Sequence, residues 1–223
     1  MAKETYNDTV KIAVGNVELT GDLIIPENAR GLVLFSHGSG SSRLSSRNRY
    51  VAQHLQEAGF ATLLFDLLTP QEDENYQTRF NIPLLTERLI GATGWAQKNE
   101  QTRNLDIGYF GASTGAASAL GAAASLVDEI KAVVSRGGRP DMADAVLPDV
   151  LAPTLLIVGG KDDPVIDMNK DAYDRLHCIK EMEIVPDATH LFEEPGALEM
   201  VADLALDWFK KYLAMDKQRP LVE

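Results

Sequence analysis

Short apolar runs and longer stretches of helical periodicity alternate along this chain, and that alternation leaves few folds open. Thr9–Val14 and Val17–Ile25 read as strands joined at Gly15-Asn16, a two-residue turn suited to an antiparallel hairpin. Gly31–Ser36 (GLVLFS) is almost wholly apolar, as expected of a strand covered on both faces. Further strands are expected at Ala61–Phe65, Asp106–Phe110, Ala132–Ser135, Thr154–Val158 and Met182–Val185. Between and after them, Arg47–Ala58, Ile82–Lys98 (capped by Asn81), Ser113–Leu126, Met168–His177 and Ala197–Tyr212 carry helical spacing. A hairpin followed by strand–helix alternation predicts an α/β architecture: a mostly parallel eight-stranded sheet, an N-terminal antiparallel hairpin, and helices on both faces. No repeat, low-complexity tract or linker interrupts the chain, so residues 1–223 read as one domain.

Open α/β sheets bind ligands at the carboxyl ends of their strands. Four loops at such positions stand out: HGSGSSR, GASTG, GGKDDPV and PDATHLFEE. In the second, Gly111-Ala112-Ser113-Thr114-Gly115 fits G-x-S-x-G between a predicted strand and a predicted helix. That context forces a tight turn which exposes the serine hydroxyl, and the flanking glycines leave room for the crowded backbone. Ser113 is therefore the candidate nucleophile.

A serine hydroxyl needs a base within hydrogen-bond reach, and on a turn of this kind an acid and then a histidine follow along the chain. Only His177 and His190 lie downstream of Ser113. His177 falls in a predicted helix, whereas His190 falls in the loop after the last strand, so His190 is the candidate base. Asp162 and Asp163 follow a strand end in GGKDDPV; Asp162 fits the arrangement GGxDxxV and Asp163 is the alternative. An oxyanion would need two backbone N–H donors, expected from Thr114 and from Ser39 in the loop His37-Gly38-Ser39-Gly40. His37 precedes the serine and reads as a residue that holds this loop by hydrogen bonds.

These residues resemble the dienelactone-hydrolase-like branch of the α/β-hydrolase superfamily. GASTG, GGKDDPV and ATHLFEE match it in order and spacing, and the likeness runs from the strand before HGSGSSR to the final helix. It is also similar to the hydrolase-like domain found beside phosphoribosyltransferase domains, although no phosphoribosyltransferase signature is visible here. The resemblance implies an α/β-hydrolase fold and a serine esterase acting through an acyl-enzyme. Dienelactone hydrolases proper carry a cysteine nucleophile, whereas here the position is Ser113 and Cys178 lies in a predicted helix, which favours ordinary ester chemistry. Transfer to an alcohol or peroxide by the same triad, or a catalytically idle fold used for binding, are the alternatives.

Fewer than 20 residues separate the strand ending at Ser135 from Thr154, leaving no room for a large lid domain; small esters suit such a site. Arginines cluster in site-facing loops (Arg43, Arg47, Arg49, Arg136, Arg139). Arg43 and Arg136 are the candidate substrate-binding residues, because a guanidinium can hold a carboxylate or phosphate. With 33 acidic and 21 basic residues the net charge is −12, which disfavours nucleic acid and anionic membrane surfaces as partners. One cysteine excludes an intrachain disulfide, and no zinc-type ligand cluster, P-loop or dinucleotide motif follows a strand. No metal or cofactor is implied, and a homodimer is compatible with the composition. The first residues lack a secretory pattern and no apolar run approaches the ~20 residues a membrane span requires, so a cytoplasmic enzyme is expected.

Overall fold

A computed structural model describes residues 4–213. Its eight strands form one sheet in the order β1-β2-β4-β3-β5-β6-β7-β8. The strands are β1 Glu4–Val14, β2 Val17–Pro26, β3 Leu32–Ser36, β4 Ala61–Phe65, β5 Ile107–Ala112, β6 Ile130–Arg136, β7 Thr154–Gly159 and β8 Lys180–Val185. The hairpin β1–β2 is antiparallel, β2 runs antiparallel to β4, and the remaining pairs are parallel. This is the expected sheet, with strand ends shifted by a few residues.

Alternate side chains of the central strands feed two cores. Leu32 and Leu34 point to one face, where they join Leu85 and Leu89 of α3 (Ile82–Lys98), Leu120 of α4 (Thr114–Leu126) and Ala172 of α5 (Asp163–Arg175). Val33 and Phe35 point to the other, against Val51 and Leu55 of α1 (Ser46–Glu57) and Val201 and Phe209 of α6 (Ala197–Tyr212). Burial on both faces explains why β3, β4, β5 and β7 read as unbroken apolar runs. Asn81 caps α3 as expected, its side chain accepting from Leu84 N–H. No helix among the described residues is long and apolar enough to cross a membrane.

Three differences from the sequence reading have local causes. Helix α5 begins at Asp163, five residues before the predicted start, because Pro164 suits a first helical turn even though the residues there are polar. It ends at Arg175, so His177 and Cys178 lie in the connection to β8, with Cys178 packed against the core. The segment after β4 contains a short helix, α2 Pro70–Asp73, and a 3-10 turn, Tyr76–Phe80; another 3-10 stretch, Pro140–Asp149, connects β6 to β7. The first two are too short to show a helical period, and the third is broken at Ala143 (φ −120°). Thr69 and Glu72 form a reciprocal capping box on α2, and Arg88 of α3 pairs with Glu72 at 2.6 Å.

The end of the sheet depends on backbone approach that excludes side chains. A Cβ at Gly115, in the first turn of α4, would lie 2.1 Å from the Ser36 carbonyl oxygen. Gly94, in the middle of α3, has nothing within 4 Å of its Cβ position. Gly115→Ala is therefore expected to lower unfolding free energy by about 1–3 kcal/mol, whereas Gly94→Ala raises it by roughly 0.5–1 kcal/mol through helix propensity. Urea denaturation of the two variants checks this, and equal midpoints would contradict it.

Candidate active site

Strand β5 ends at Ala112 and α4 starts at Thr114, so Ser113 alone turns the chain. It does so at φ 52°, ψ −123°, a left-handed conformation that costs a non-glycine residue on the order of 1–3 kcal/mol. Hydrogen bonds hold it there. Ser113 N–H donates to Arg136 O (3.2 Å), and Ser113 O accepts from Ala116 N–H (3.0 Å) and Arg139 N–H (3.1 Å). Below it, Ser36 Oγ and Ser118 Oγ lie 2.7 Å apart and buried, tying α4 to the end of β3. The strand register sets Arg136 beside Ala112, one residue before Ser113.

Asp162 and His190 come from separate loops that the backbone joins. Gly160 N–H donates to Val185 O (2.8 Å) and Lys161 N–H to Ala188 O (2.9 Å). A Cβ at Gly159 would lie 2.5 Å from Ala188 O, so the contact needs a glycine there. Asp162 occupies the N-cap of α5, yet its side chain makes no capping bond; Oδ2 lies 2.7 Å from His190 Nδ1 instead. An aspartate at this position ordinarily caps its own helix, and here it orients an imidazole. Asp163, the sequence alternative, is the exposed first residue of α5. Ser113, His190, Ser39 and Arg136 line one cavity of about 240 Å³. No hydrogen bond joins Ser113 Oγ to the imidazole, as is common before substrate binds.

The two expected oxyanion donors differ in state. Thr114 N–H, in the first turn of α4, has no partner among the described residues. Ser39 N–H donates to Thr114 Oγ1 at 2.9 Å, a contact across 75 residues that the sequence reading did not foresee. His37 holds the same loop: its Nε2 accepts from Leu67 N–H (3.1 Å), which leaves Nδ1 as the donor to Gly38 O (3.0 Å).

The arginines separate. Arg43 does not line the cavity of Ser113; its guanidinium meets Asp66 at 2.7 Å and Asp22 at 3.5 Å, and it borders a neighbouring hollow. Arg49 pairs with Asp22 and Arg139 with Asp141. Arg136 and Arg47 do line the cavity. Burial, and to a smaller extent the neighbouring Arg47 charge, push the Arg136 guanidinium down to about 10, so it stays charged at neutral pH. Asn169 of α5, buried and unremarked in the sequence, donates to Gly138 O (3.0 Å) and fixes the loop behind Arg136. A larger cavity, about 490 Å³, lies between the hairpin and α1 but contains none of the triad candidates. Among the described residues no group of three or more His, Cys, Asp or Glu is placed to hold a metal.

The sequence pattern of the dienelactone hydrolase family matches residues 19–214. The chain belongs to the dienelactone hydrolase family. A dienelactone hydrolase from Anabaena variabilis, known from its crystal structure, is 58% identical and superposes with a TM-score of 0.91, covering 93% of this chain and 98% of that one. A putative phosphoribosyl transferase of Mycobacterium tuberculosis is 55% identical over 207 residues, which cover 93% of this chain and 47% of the relative. The chain thus spans about half the length of the curated relatives it matches most extensively. Est1E from Butyrivibrio proteoclasticus, solved with ferulic acid bound, is 17% identical with a TM-score of 0.78 over 91% of this chain and 98% of its own, a likeness of fold alone. Membership of this family supports a hydrolase.

The loop carrying Ser39 has a pH dependence of its own. Burial lowers the His37 pKa below its ordinary 6.5, outweighing the bond to Gly38 O, which favours the charged ring; the neutral ring is also the form whose Nε2 can accept from Leu67 N–H. A lowered histidine pKa gives stability that is complete above the unfolded value and is lost as pH falls below about 6.5. His37→Phe, which leaves Leu67 N–H unpaired, is expected to cost about 1–3 kcal/mol at pH 7.5. The gap to wild type should narrow toward pH 5 in thermal melts; a gap constant with pH would show that His37 is not held neutral.

Proposed function

We propose that the chain is a serine hydrolase of small carboxylic esters, with Ser113 as nucleophile, His190 as base and Asp162 as the acid that orients it. The reading rests chiefly on one observation: His190, paired with Asp162 at 2.7 Å, shares a cavity with a strained serine at a strand–helix turn. Substrate filling that cavity excludes water and draws the imidazole to Ser113 Oγ. Oγ attacks the ester carbonyl carbon while His190 Nε2 takes its proton, and the carbonyl oxygen becomes an oxyanion. Collapse expels the alcohol, which leaves with the proton from His190, and the acyl group remains on Ser113. Water then attacks the acyl carbon as His190 takes its proton, and collapse releases the acid while His190 returns that proton to Ser113 Oγ. Asp162 keeps Nδ1–H pointed at itself, which fixes Nε2 as the reactive nitrogen.

Thr114 serves the oxyanion twice. Its backbone N–H is free in the first turn of α4, and its hydroxyl holds Ser39 N–H close by. Ser39 N–H reaches the oxyanion as a three-centre donor shared with Thr114 Oγ1. The same reading places the enzyme in the cytoplasm, acting on a small-molecule ester.

Hydrolysis of p-nitrophenyl acetate and butyrate by wild type, Ser113→Ala and Asp162→Asn tests the proposal. Turnover and labelling by a serine-directed fluorophosphonate should both vanish in Ser113→Ala. Asp162→Asn should lower kcat by on the order of 10³–10⁴-fold, with labelling slowed rather than abolished. Undiminished turnover in Ser113→Ala would overturn the assignment.

A further inference from the structure

Two arginines among the described residues are buried to the same extent, Arg88 and Arg136, each 6% exposed. Arg88 meets a carboxylate, Glu72, at 2.6 Å. The guanidinium of Arg136 has no carboxylate partner and donates no hydrogen bond among the described residues; its Nε is buried and unsatisfied. It lies 5.6 Å from the Phe192 ring centroid, a contact that positions a cation without accepting its N–H bonds. A buried charge left unpaired is costly, and burial of this kind ordinarily comes with a counter-ion.

What surrounds Arg136 deepens the imbalance. Arg47 lines the same cavity; its Nε is also buried without a partner, and its one ion pair among the described residues is to the exposed Glu193 at 2.9 Å. Arg47 stands in the first turn of α1, a 12-residue helix whose N-cap Ser45 lines the cavity too. The partial positive charge of that helix end adds to the two guanidinium groups. Ser39 and Ser41 border the cavity as well, and no Asp or Glu does, although the chain as a whole carries a net charge of −12.

We propose that Arg136, Arg47 and the start of α1 form a subsite for a phosphate monoester group carried by the substrate, so that the ester cleaved at Ser113 is a phosphorylated one. The substrate claim rests on the ester-hydrolase reading above. A carboxylate offers one charge and two oxygens. A phosphate monoester offers nearly two charges and three oxygens, which matches two guanidinium groups, a helix N-terminus and adjacent hydroxyls more fully. Glu193 is exposed, so a dianion can displace it from Arg47 without burying it.

Inorganic phosphate is the probe, titrated calorimetrically at low ionic strength into wild type, Ser113→Ala, Arg136→Gln and Arg47→Gln. Phosphate should bind wild type and Ser113→Ala alike and acetate should bind at least tenfold more weakly. Arg136→Gln should lose tenfold or more in phosphate affinity and Arg47→Gln several-fold, each with a cooperative thermal melt. If Arg136→Gln does not fold, the half-buried Arg47→Gln decides. Phosphate should also compete with p-nitrophenyl acetate in wild type. The preference in kcat/KM for an acetyl ester of glycerol phosphate over glycerol monoacetate should fall at least tenfold in Arg47→Gln. Absence of phosphate binding, equal binding by folded Arg136→Gln, or equal affinity for acetate and phosphate would each overturn the subsite. Ester turnover untouched by phosphate would remove the subsite and leave the hydrolase reading standing. Arginine-dependent phosphate binding without any ester turnover would do the reverse.

Discussion

Everything at the carboxyl end of the sheet depends on how closely three backbone segments approach there. Gly115 sits where any Cβ would strike Ser36 O, a Cβ at Gly111 would lie 2.5 Å from Ala116 Cα, and one at Gly38 would lie 3.1 Å from Ser113 Cβ. With α4 seated that tightly on β3 and β5, the chain has one residue in which to turn from strand to helix. Ser113 takes the strained conformation because its neighbours leave no alternative, and the bonds to Arg136, Ala116 and Arg139 hold it. The strain and the exposure of the hydroxyl are thus consequences of one steric fact. They also commit the loops of β3 and β6 to the site, since both end against this turn.

Polar bookkeeping around that turn is nearly complete, and where it is incomplete it points to chemistry. His37 uses both ring nitrogens on backbone partners, Ser36 and Ser118 satisfy each other, and Arg43 is held between two aspartates. Each of these groups is thereby locked, which is what a preorganised site requires of its supports. Among the groups that depart from the pattern, which also include Arg47 Nε and Ser135 Oγ, three bear most directly on the chemistry: Thr114 N–H, the capping capacity that Asp162 gives up, and the Arg136 guanidinium. All three lie on or directly behind one cavity. A polar group left unsatisfied in a buried position carries a cost that ligand or transition-state contacts can offset.

The legibility of these features in the sequence follows their range along the chain. Strand and helix periods are local, and the eight strands and the longer helices stood out for that reason. The serine turn was legible because glycines at fixed offsets are a local steric requirement, and the histidine because its alternative, His177, sat in a helical pattern. The structure moves His177 out of α5 but leaves the choice between the two unchanged, since His190 is the one beside Asp162. Pairings across the fold were not legible. Arg43 and Arg136 looked equivalent, and what separates them is Asp66, 23 positions away from Arg43. Likewise Thr114 Oγ1 binds Ser39 N–H and Asn169 binds Gly138 O through contacts no spacing rule encodes. Asn169 carries a signal only in retrospect: a polar side chain on the apolar face of α5, four residues after Val165.

The charge balance shows why a bulk property and a site property can point in opposite directions. A net charge of −12 sets a repulsive far field for any anion. That field is screened over a Debye length of about 8 Å at physiological ionic strength. Inside the cavity the lining carries two guanidinium groups and no carboxylate, in surroundings of lower dielectric where each charge acts more strongly. Equilibrium affinity is therefore governed by the local groups, while the far field slows the approach of an anionic ligand. Raising ionic strength screens both, but it acts more fully on the exposed acids than on the buried Arg136. The acidic surface and the cationic cavity are compatible because they act at different distances, and the cavity sets what can stay bound beside Ser113.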